Sequence, residues 1–245
     1  MKFLFDAHTH TIASGHAYNT LYEMIQRGAD IGLELIGITE HAPAMPGTCG
    51  EFYFRNLRAI DRDYLQEKFG IEVLIGAEVN IIDRNGGIDL SELGMEYLDV
   101  VIASMHLPCL KAGTKQENTQ AAIAAIQNPN VDILGHPDDG RYPMDYEPIV
   151  RAAKQYGKLL EVNNSSLQPN GYRMNARENY RTILEYCKKY EQPIVVNSDA
   201  HFVTAVGNHQ YSEQILKEVQ FPQELVLNTS VEQFLSYTRK YKKKK

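Results

Sequence analysis

Short runs of branched and aliphatic residues alternate along the chain with longer stretches whose apolar positions recur every three or four residues. The first pattern is that of a β-strand, the second that of an amphipathic helix. Strands are predicted at residues 3–7, 35–39, 73–79, 99–104, 132–135, 159–163 and 194–198. Helices are predicted at 22–31, 54–69, 119–127, 146–156, 177–190 and 212–219. A last helix is expected after Ser230, with Gln233 in position for a capping box. Seven strands of one βα repeat predict an α/β fold, a closed parallel barrel one unit short of eight.

The connections sharpen this picture. Helix-to-strand links are tight and carry Gly32, Gly70, Pro129, Gly157 or Pro193, whereas strand-to-helix links run long, at roughly 42–53, 107–118, 167–174 and 202–211. In parallel α/β folds the long loops at the carboxyl ends of strands build the active site. Asn85-Gly86-Gly87, between Ile81-Ile82 and Ile88, predicts a β-hairpin inserted after the third strand. With no repeat or linker to divide it, the chain reads as one domain over 1–239, followed by a lysine-rich tail at 240–245 expected to be disordered.

Composition adds boundaries. The 245 residues are 43% hydrophobic and 23% charged, an ordinary globular balance and a length that suits a barrel. A net charge of −6 argues against a general nucleic-acid surface. No run approaches the ~18 apolar residues of a membrane span, and no signal-peptide pattern opens the chain, so the cytoplasm is the expected location. Cys49, Cys109 and Cys187 lack CxxC spacing, which argues against a disulfide scaffold or a thiolate zinc site. The oligomeric state, a homo-oligomer included, is left open.

Candidate chemistry gathers at the strand ends. His8 and His10 close the first strand two residues apart, so a strand would project both to one side, and His16 follows in the loop. Glu40-His41 ends the second strand, Glu78 the third, His106 the fourth and His136 the fifth. Asp199 and His201 end the seventh, again two apart. Seven of the eight histidines occupy such positions, and only His209 does not. Nine nitrogen and oxygen ligands exceed what one ion takes and suit a cluster of two or three, with Glu78 able to bridge through its two oxygens. Imidazole without thiolate favours zinc, manganese or iron. Such clusters hold phosphate oxygens and generate hydroxide near neutral pH, which is the chemistry of phosphate-ester hydrolysis.

These motifs, Phe5-Asp-Ala-His-Thr-His10 with His16, Ile38-Thr-Glu-His41, Gly76-Ala-Glu78, His106, Gly135-His-Pro137 and Ser198-Asp-Ala-His201, closely resemble those of the PHP (polymerase and histidinol phosphatase) family. The stand-alone YcdX-like phosphatases are nearest, with further matches at His16-Ala-Tyr18, Asn118-Thr-Gln120, Glu161-Val-Asn-Asn-Ser-Ser166 and Phe221-Pro222. The resemblance implies a distorted (β/α)7 TIM-like barrel with a trinuclear, zinc-type centre at the carboxyl ends of the strands. Carried over by position, His8, His10, Glu78 and Asp199 would hold one ion, and Glu78, His106 and His136 a second. His16, His41 and His201 would hold the third. Glu78, Asp199 and His201 are the residues expected to matter most for catalysis. Glu40 stands where the family usually has Asp, which puts orientation of the neighbouring ligands, and any proton transfer there, in question.

The expected function is hydrolysis of a small phosphomonoester by a metal-activated hydroxide, with histidinol-phosphate phosphatase, 3′–5′ nuclease and a non-catalytic metal-binding domain as the rivals. Asn164, Arg141 and Arg173 are candidate substrate contacts. Asp83, Asp89 and Glu72 read as solvated or turn carboxylates, and His209 as a surface or loop histidine.

Overall fold

The computed structural model describes residues 1–169 and 171–242. Seven strands, β1 (Phe5–Thr9), β2 (Leu35–His41), β3 (Glu72–Asn80), β4 (Val100–Ser104), β5 (Ile133–Leu134), β6 (Leu159–Asn163) and β7 (Ile194–Asn197), pair in parallel in chain order. The helices are α1 (Leu21–Asp30), α2 (Glu51–Arg55), α3 (Arg62–Phe69), α4 (Lys115–Gln127), α5 (Tyr146–Tyr156), α6 (Ala176–Tyr190), α7 (Gln210–Glu218), α8 (Val231–Tyr237) and α9 (Arg239–Lys242). Outward strand residues pack beneath these helices; inward ones fill the barrel. Among the described residues no helix is long and apolar enough to cross a membrane.

The interior is graded along the barrel axis. At the amino ends of the strands each contributes one apolar residue: Phe5, Leu35, Leu74, Val100, Ile133, Leu159 and Val195. The carboxyl-terminal segment plugs this end, with Phe234 stacked on Phe5 at 4.3 Å between ring centroids. Two residues further on, Gly37 and Gly76 face inward where the neighbouring strand crowds them. A Cβ there would lie 2.5 Å from the Ala7 carbonyl oxygen and 2.4 Å from that of Val100. Beyond this waist the inward residues turn polar, and the apolar core gives way to the site.

The barrel closes without a full ladder between β1 and β7. One bridge joins Thr9 to Ala200, and the His10 amide donates to the Ala200 carbonyl at 2.9 Å. Side chains seal the remainder. Asn228 donates to the carbonyls of Phe5 (3.1 Å) and Val196 (2.7 Å) and accepts from the Val196 amide at 2.7 Å. Asp6 accepts from the Ser198 amide (3.0 Å) and hydroxyl (2.5 Å) and from the Gly207 amide (2.9 Å). These bonds satisfy backbone groups that the interrupted ladder would otherwise leave buried and unpaired.

Several expectations are corrected. The helix expected over 54–69 breaks after α2, because Asp61 accepts from the Tyr64 amide at 2.9 Å and starts α3 as a new helix. Helix α4 begins four residues earlier than expected, where Thr114 and Glu117 form a full capping box. At Ser230 only half of the expected box exists: the hydroxyl accepts from the Gln233 amide. The hairpin after β3 reduces to one antiparallel bridge, Ile81 to Ile88, with the Asp83 carboxylate taking the amides of Asn85 and Gly87. Lys240 is no part of a loose tail. It pairs with Glu72, and its amide donates to the Asp99 carbonyl at 3.0 Å. Glu72 is correspondingly not a solvated carboxylate, and residues 243–245 lie outside the described part of the chain.

Candidate metal centre

Strand β1 carries the first pair of imidazoles, and a local irregularity aims them. Phe5 and Ala7 line the apolar interior, so strict alternation would send residues 8 and 10 outward. The pairing register with β2 shifts between Asp6 and Thr9, which reverses the parity and turns His8 and His10 inward. Both are fully buried, with their Nε2 atoms 3.1 Å apart. Glu78 reaches them from β3, with Oε2 3.4 Å from His8 Nε2 and 3.5 Å from His10 Nε2. Asp199 approaches from the other side, its Oδ1 3.7 Å and 3.3 Å from the same two nitrogens.

These lengths form a size test. Four ligands each about 2.0–2.1 Å from a tetrahedral ion stand about 3.3–3.4 Å from one another. The five separations given above scatter around that edge, so the donor set fits an ion of zinc size. The other oxygen of Glu78 faces a second pair, with Oε1 2.8 Å from His136 Nε2 and 3.3 Å from His106 Nε2. The two oxygens of one buried carboxylate thus address two different pairs of imidazoles.

A third group lies toward the rim. The rings of His16 and His41 are 4.8 Å apart between centroids, and those of His16 and His201 4.9 Å. His41 also connects inward, with Nδ1 2.7 Å from Glu78 Oε2. Although close, the two atoms are not aligned as a hydrogen bond, and both are buried without a partner. A cation between the groups would satisfy both. The structure therefore brings all nine sequence-predicted ligand residues around one mouth, and His10, His41 and His201 additionally converge as a set of their own.

Behind the ligands stands a layer that the sequence reading largely missed. Glu161, buried on β6, contacts His8 Nδ1 at 2.7 Å and accepts from the His136 amide (2.9 Å), Asn197 Nδ2 (2.8 Å) and Asn163 Nδ2 (3.1 Å). With a metal ion on Nε2, that contact would hold the remaining ring proton of His8 on Nδ1. Ser14 does the same for His10 (3.0 Å to Nδ1), and Asn80 for His106 (2.7 Å to Nδ1). Asn80 is itself held by Asp89, which accepts from its amide at 2.7 Å and its Nδ2 at 2.6 Å, so Asp89 is not a merely solvated carboxylate. The signal available in sequence was phase: Asn80 and Glu161 share the inward face with Glu78 and Leu159 respectively.

Glu40 belongs to this layer. It is buried and takes the hydroxyls of Thr11 and Ser14, each at 2.5 Å, so it steadies His10 through Ser14. Burial raises its pKa against those hydrogen bonds.

The electrostatics follow from the packing. Burial disfavours the charge on Glu78, but His106, His41 and His8 outweigh it and hold the carboxyl well below its ordinary range. Asp199 is lowered likewise, burial being overcome by His8, His10 and His201. Burial also opposes a charge on His8, yet Glu161, Glu78 and Asp199 raise its pKa well above ordinary. His10 goes the other way, lowered by burial and by His41 and His201. His136 and Asp199 both carry positive φ angles, 26° and 56°, a strained backbone at two of the candidate ligands.

All three expected substrate contacts have partners within the chain. Asn164 Oδ1 accepts from the amides of Tyr211 (2.8 Å) and Ser212 (3.1 Å) and so caps α7. Arg173 is buried and donates to Ser166 Oγ (2.7 Å), Asn163 Oδ1 (3.3 Å) and Asp199 Oδ2 (3.3 Å), which places it behind a ligand. Arg141, half-exposed, pairs with Asp139 in its own loop and lies 5.1 Å from the Tyr172 ring.

Residues 6–170 match the model of the PHP domain, and residues 177–211 match that of the PHP-associated segment. The chain belongs to the PHP domain family. Among its relatives are proteins named probable phosphatase from Caldicellulosiruptor saccharolyticus and Acetivibrio thermocellus. The first is 44% identical over 96% of this chain and 95% of its own length, the second 43% over 100% and 98%. By family, then, this chain is a phosphatase. Its fold is similar to that of the histidinol phosphate phosphatase of Lactococcus lactis, solved with zinc, L-histidinol and phosphate. That match has a TM-score of 0.63 and 22% identity, covering 89% of this chain and 94% of that one. A chain of an archaeal ribonuclease P structure with mature tRNA shares the fold at TM-score 0.59 and 16% identity, covering 95% and 91%.

Proposed function

We propose that this PHP phosphatase hydrolyses small phosphomonoesters at a three-ion centre, with zinc the first metal to expect and manganese or iron the alternatives. In this reading His8, His10, Glu78 and Asp199 hold one ion, Glu78, His106 and His136 a second, and His16, His41 and His201 the third. The observation that carries the reading is the double engagement of Glu78, whose Oε2 faces His8 and His10 while Oε1 faces His106 and His136. Bound there, divalent ions would polarise phosphoryl oxygens and activate water.

The chain's own residues do the remaining work. Glu161, Ser14 and Asn80 turn the Nε2 atoms of His8, His10 and His106 toward the cluster and would hold the remaining ring proton on Nδ1 once an ion is bound. Arg173 and Asn163 engage Asp199 Oδ2 and leave Oδ1 toward the cluster. Glu40 has both oxygens bonded behind His10, so it is not positioned to protonate a leaving alcohol.

Beside His16, Asp199 and His201 opens a cavity of about 450 Å³, walled further by Tyr172 and Phe202. That volume suits a small ester rather than a polymer. The ligands of the Lactococcus protein make L-histidinol phosphate one sensible monoester to include in a panel. The test is rate against such a panel and against single-stranded DNA. Small monoesters should turn over much faster; a protein that degraded oligonucleotides more efficiently than any monoester would be a nuclease.

A further inference from the structure

Outside the barrel wall, next to the seam between β1 and β7, lies a second cavity of about 470 Å³. It is bounded by the lead-in to β1, the end of α1 and the loop that enters α7. Nothing in the phosphatase reading uses it.

Its polar groups are unusual. His209 lines the cavity, is 6% exposed, and its Nε2 has no hydrogen-bond partner. Arg27 lines it too; its Nε is buried without a partner, and no carboxylate pairs with it among the described residues. Lys2 stands exposed at the edge. The one carboxylate present, Glu213, is already paired with Lys217 at 3.1 Å and with the terminal amino group at 3.2 Å. A half-buried guanidinium whose Nε has no partner, and a buried imidazole whose Nε2 has none, are costly unless something bonds them. Burial lowers the pKa of His209 against the pull of Asp6 and Glu213, so at neutral pH the ring is uncharged and carries one N–H.

The cavity also meets the amino end of α7, where the helix dipole favours negative charge. The first amides are already taken, Gln210 by Asn208 and Tyr211 and Ser212 by Asn164, so a ligand's partners must be the side chains. We infer that this cavity is a second anion site, separate from the metal centre, which takes a phosphate group on Arg27, Lys2 and His209. Free inorganic phosphate and a small phosphorylated molecule present the same chemistry, and a guanidinium recognises both by the same paired hydrogen bonds. Gly207, in the cavity wall, donates to Asp6, which holds Ser198 beside Asp199, so the site abuts the ligand-bearing end of the seam. The inference does not depend on the reaction at the metal centre.

Calorimetric titration with inorganic phosphate, and separately with a non-hydrolysable alkylphosphonate, tests it on the full chain. A Glu78→Gln protein, damaged at the cluster, should keep one saturable site for at least one of the two probes. The tighter probe identifies the source. Arg27→Gln should weaken that site at least about tenfold while leaving the phosphatase rate within about twofold of wild type. Lys2→Gln, on an exposed side chain that cannot unfold the protein, should weaken it by a smaller factor. Absence of saturable binding to Glu78→Gln by either probe, or affinities unchanged in both Arg27→Gln and Lys2→Gln, would overturn the assignment.

Discussion

The deep and outer parts of the cluster are built on different terms. Around Glu78 the imidazoles of His8, His10, His106 and His136 are buried or nearly so, and two carboxylates offset the charge that ions would bring. Three of those rings have the nitrogen facing away from the cluster fixed by a buried partner, Glu161, Ser14 or Asn80. Toward the rim the set is His16, His41 and His201, whose nearest carboxylates, Glu78 to His41 and Asp199 to His201, are those the deep half already uses. His16 is exposed there, and the His201 side chain is 30% exposed. One half is preorganised and electrically compensated. The other borrows its carboxylates from the deep half and opens to solvent at His16 and His201.

That contrast can be broken most severely at Glu78. Glu78→Gln keeps the shape but removes the charge that both imidazole pairs face. Activity should fall at least ~10²-fold, the scale of losing a key electrostatic stabiliser, with metal lost mainly from the deep half. A variant with wild-type rate and full metal content would mean that Glu78 does not join the two pairs.

A smaller blow to the same half is Glu161→Gln, which never touches the proposed ions. An amide can turn its NH2 toward His8 Nδ1 and favour the wrong tautomer, so metal affinity should drop about 10–100-fold. Competition with a graded chelator measures this directly. Unchanged affinity would show that the layer behind the ligands does not set their protonation.

The rim should respond more mildly. His16→Gln should deplete one ion and leave the deep half loaded, reducing the rate about tenfold, within the range of losing one orienting contact. If it emptied the deep half as well, the two parts would form one cooperative unit and the contrast would fail.

Much of this was legible in the sequence because strand ends and histidines coincide. Short runs of branched and aliphatic residues located all seven strands, and β6 agrees with its expected span of 159–163. What escaped was chemistry made by long-range contacts. The shift in β1 that turns His8 inward depends on pairing with β2, which no local pattern reveals. Glu161 looks like any strand carboxylate until four donors from three other segments and its own strand meet on it. Asp89 sits in a turn-rich stretch that composition alone reads as solvent-facing, yet it holds Asn80 and through it His106. His209, read as a surface histidine, is buried against Phe3, with ring centroids 4.9 Å apart. Helix starts at Thr114 and Asp61 were recoverable, since both are capping residues three positions before the amide they accept from.

The central claim is that one buried carboxylate joins two ions and that a third completes the centre. Elemental analysis of the full chain purified without chelator, run beside Glu78→Gln, addresses it most directly. The account predicts close to three transition-metal ions per wild-type chain, loss of phosphatase activity when they are stripped, and depletion of one or two ions in the variant. One ion or none in a wild-type protein that stays fully active in excess chelator would contradict it.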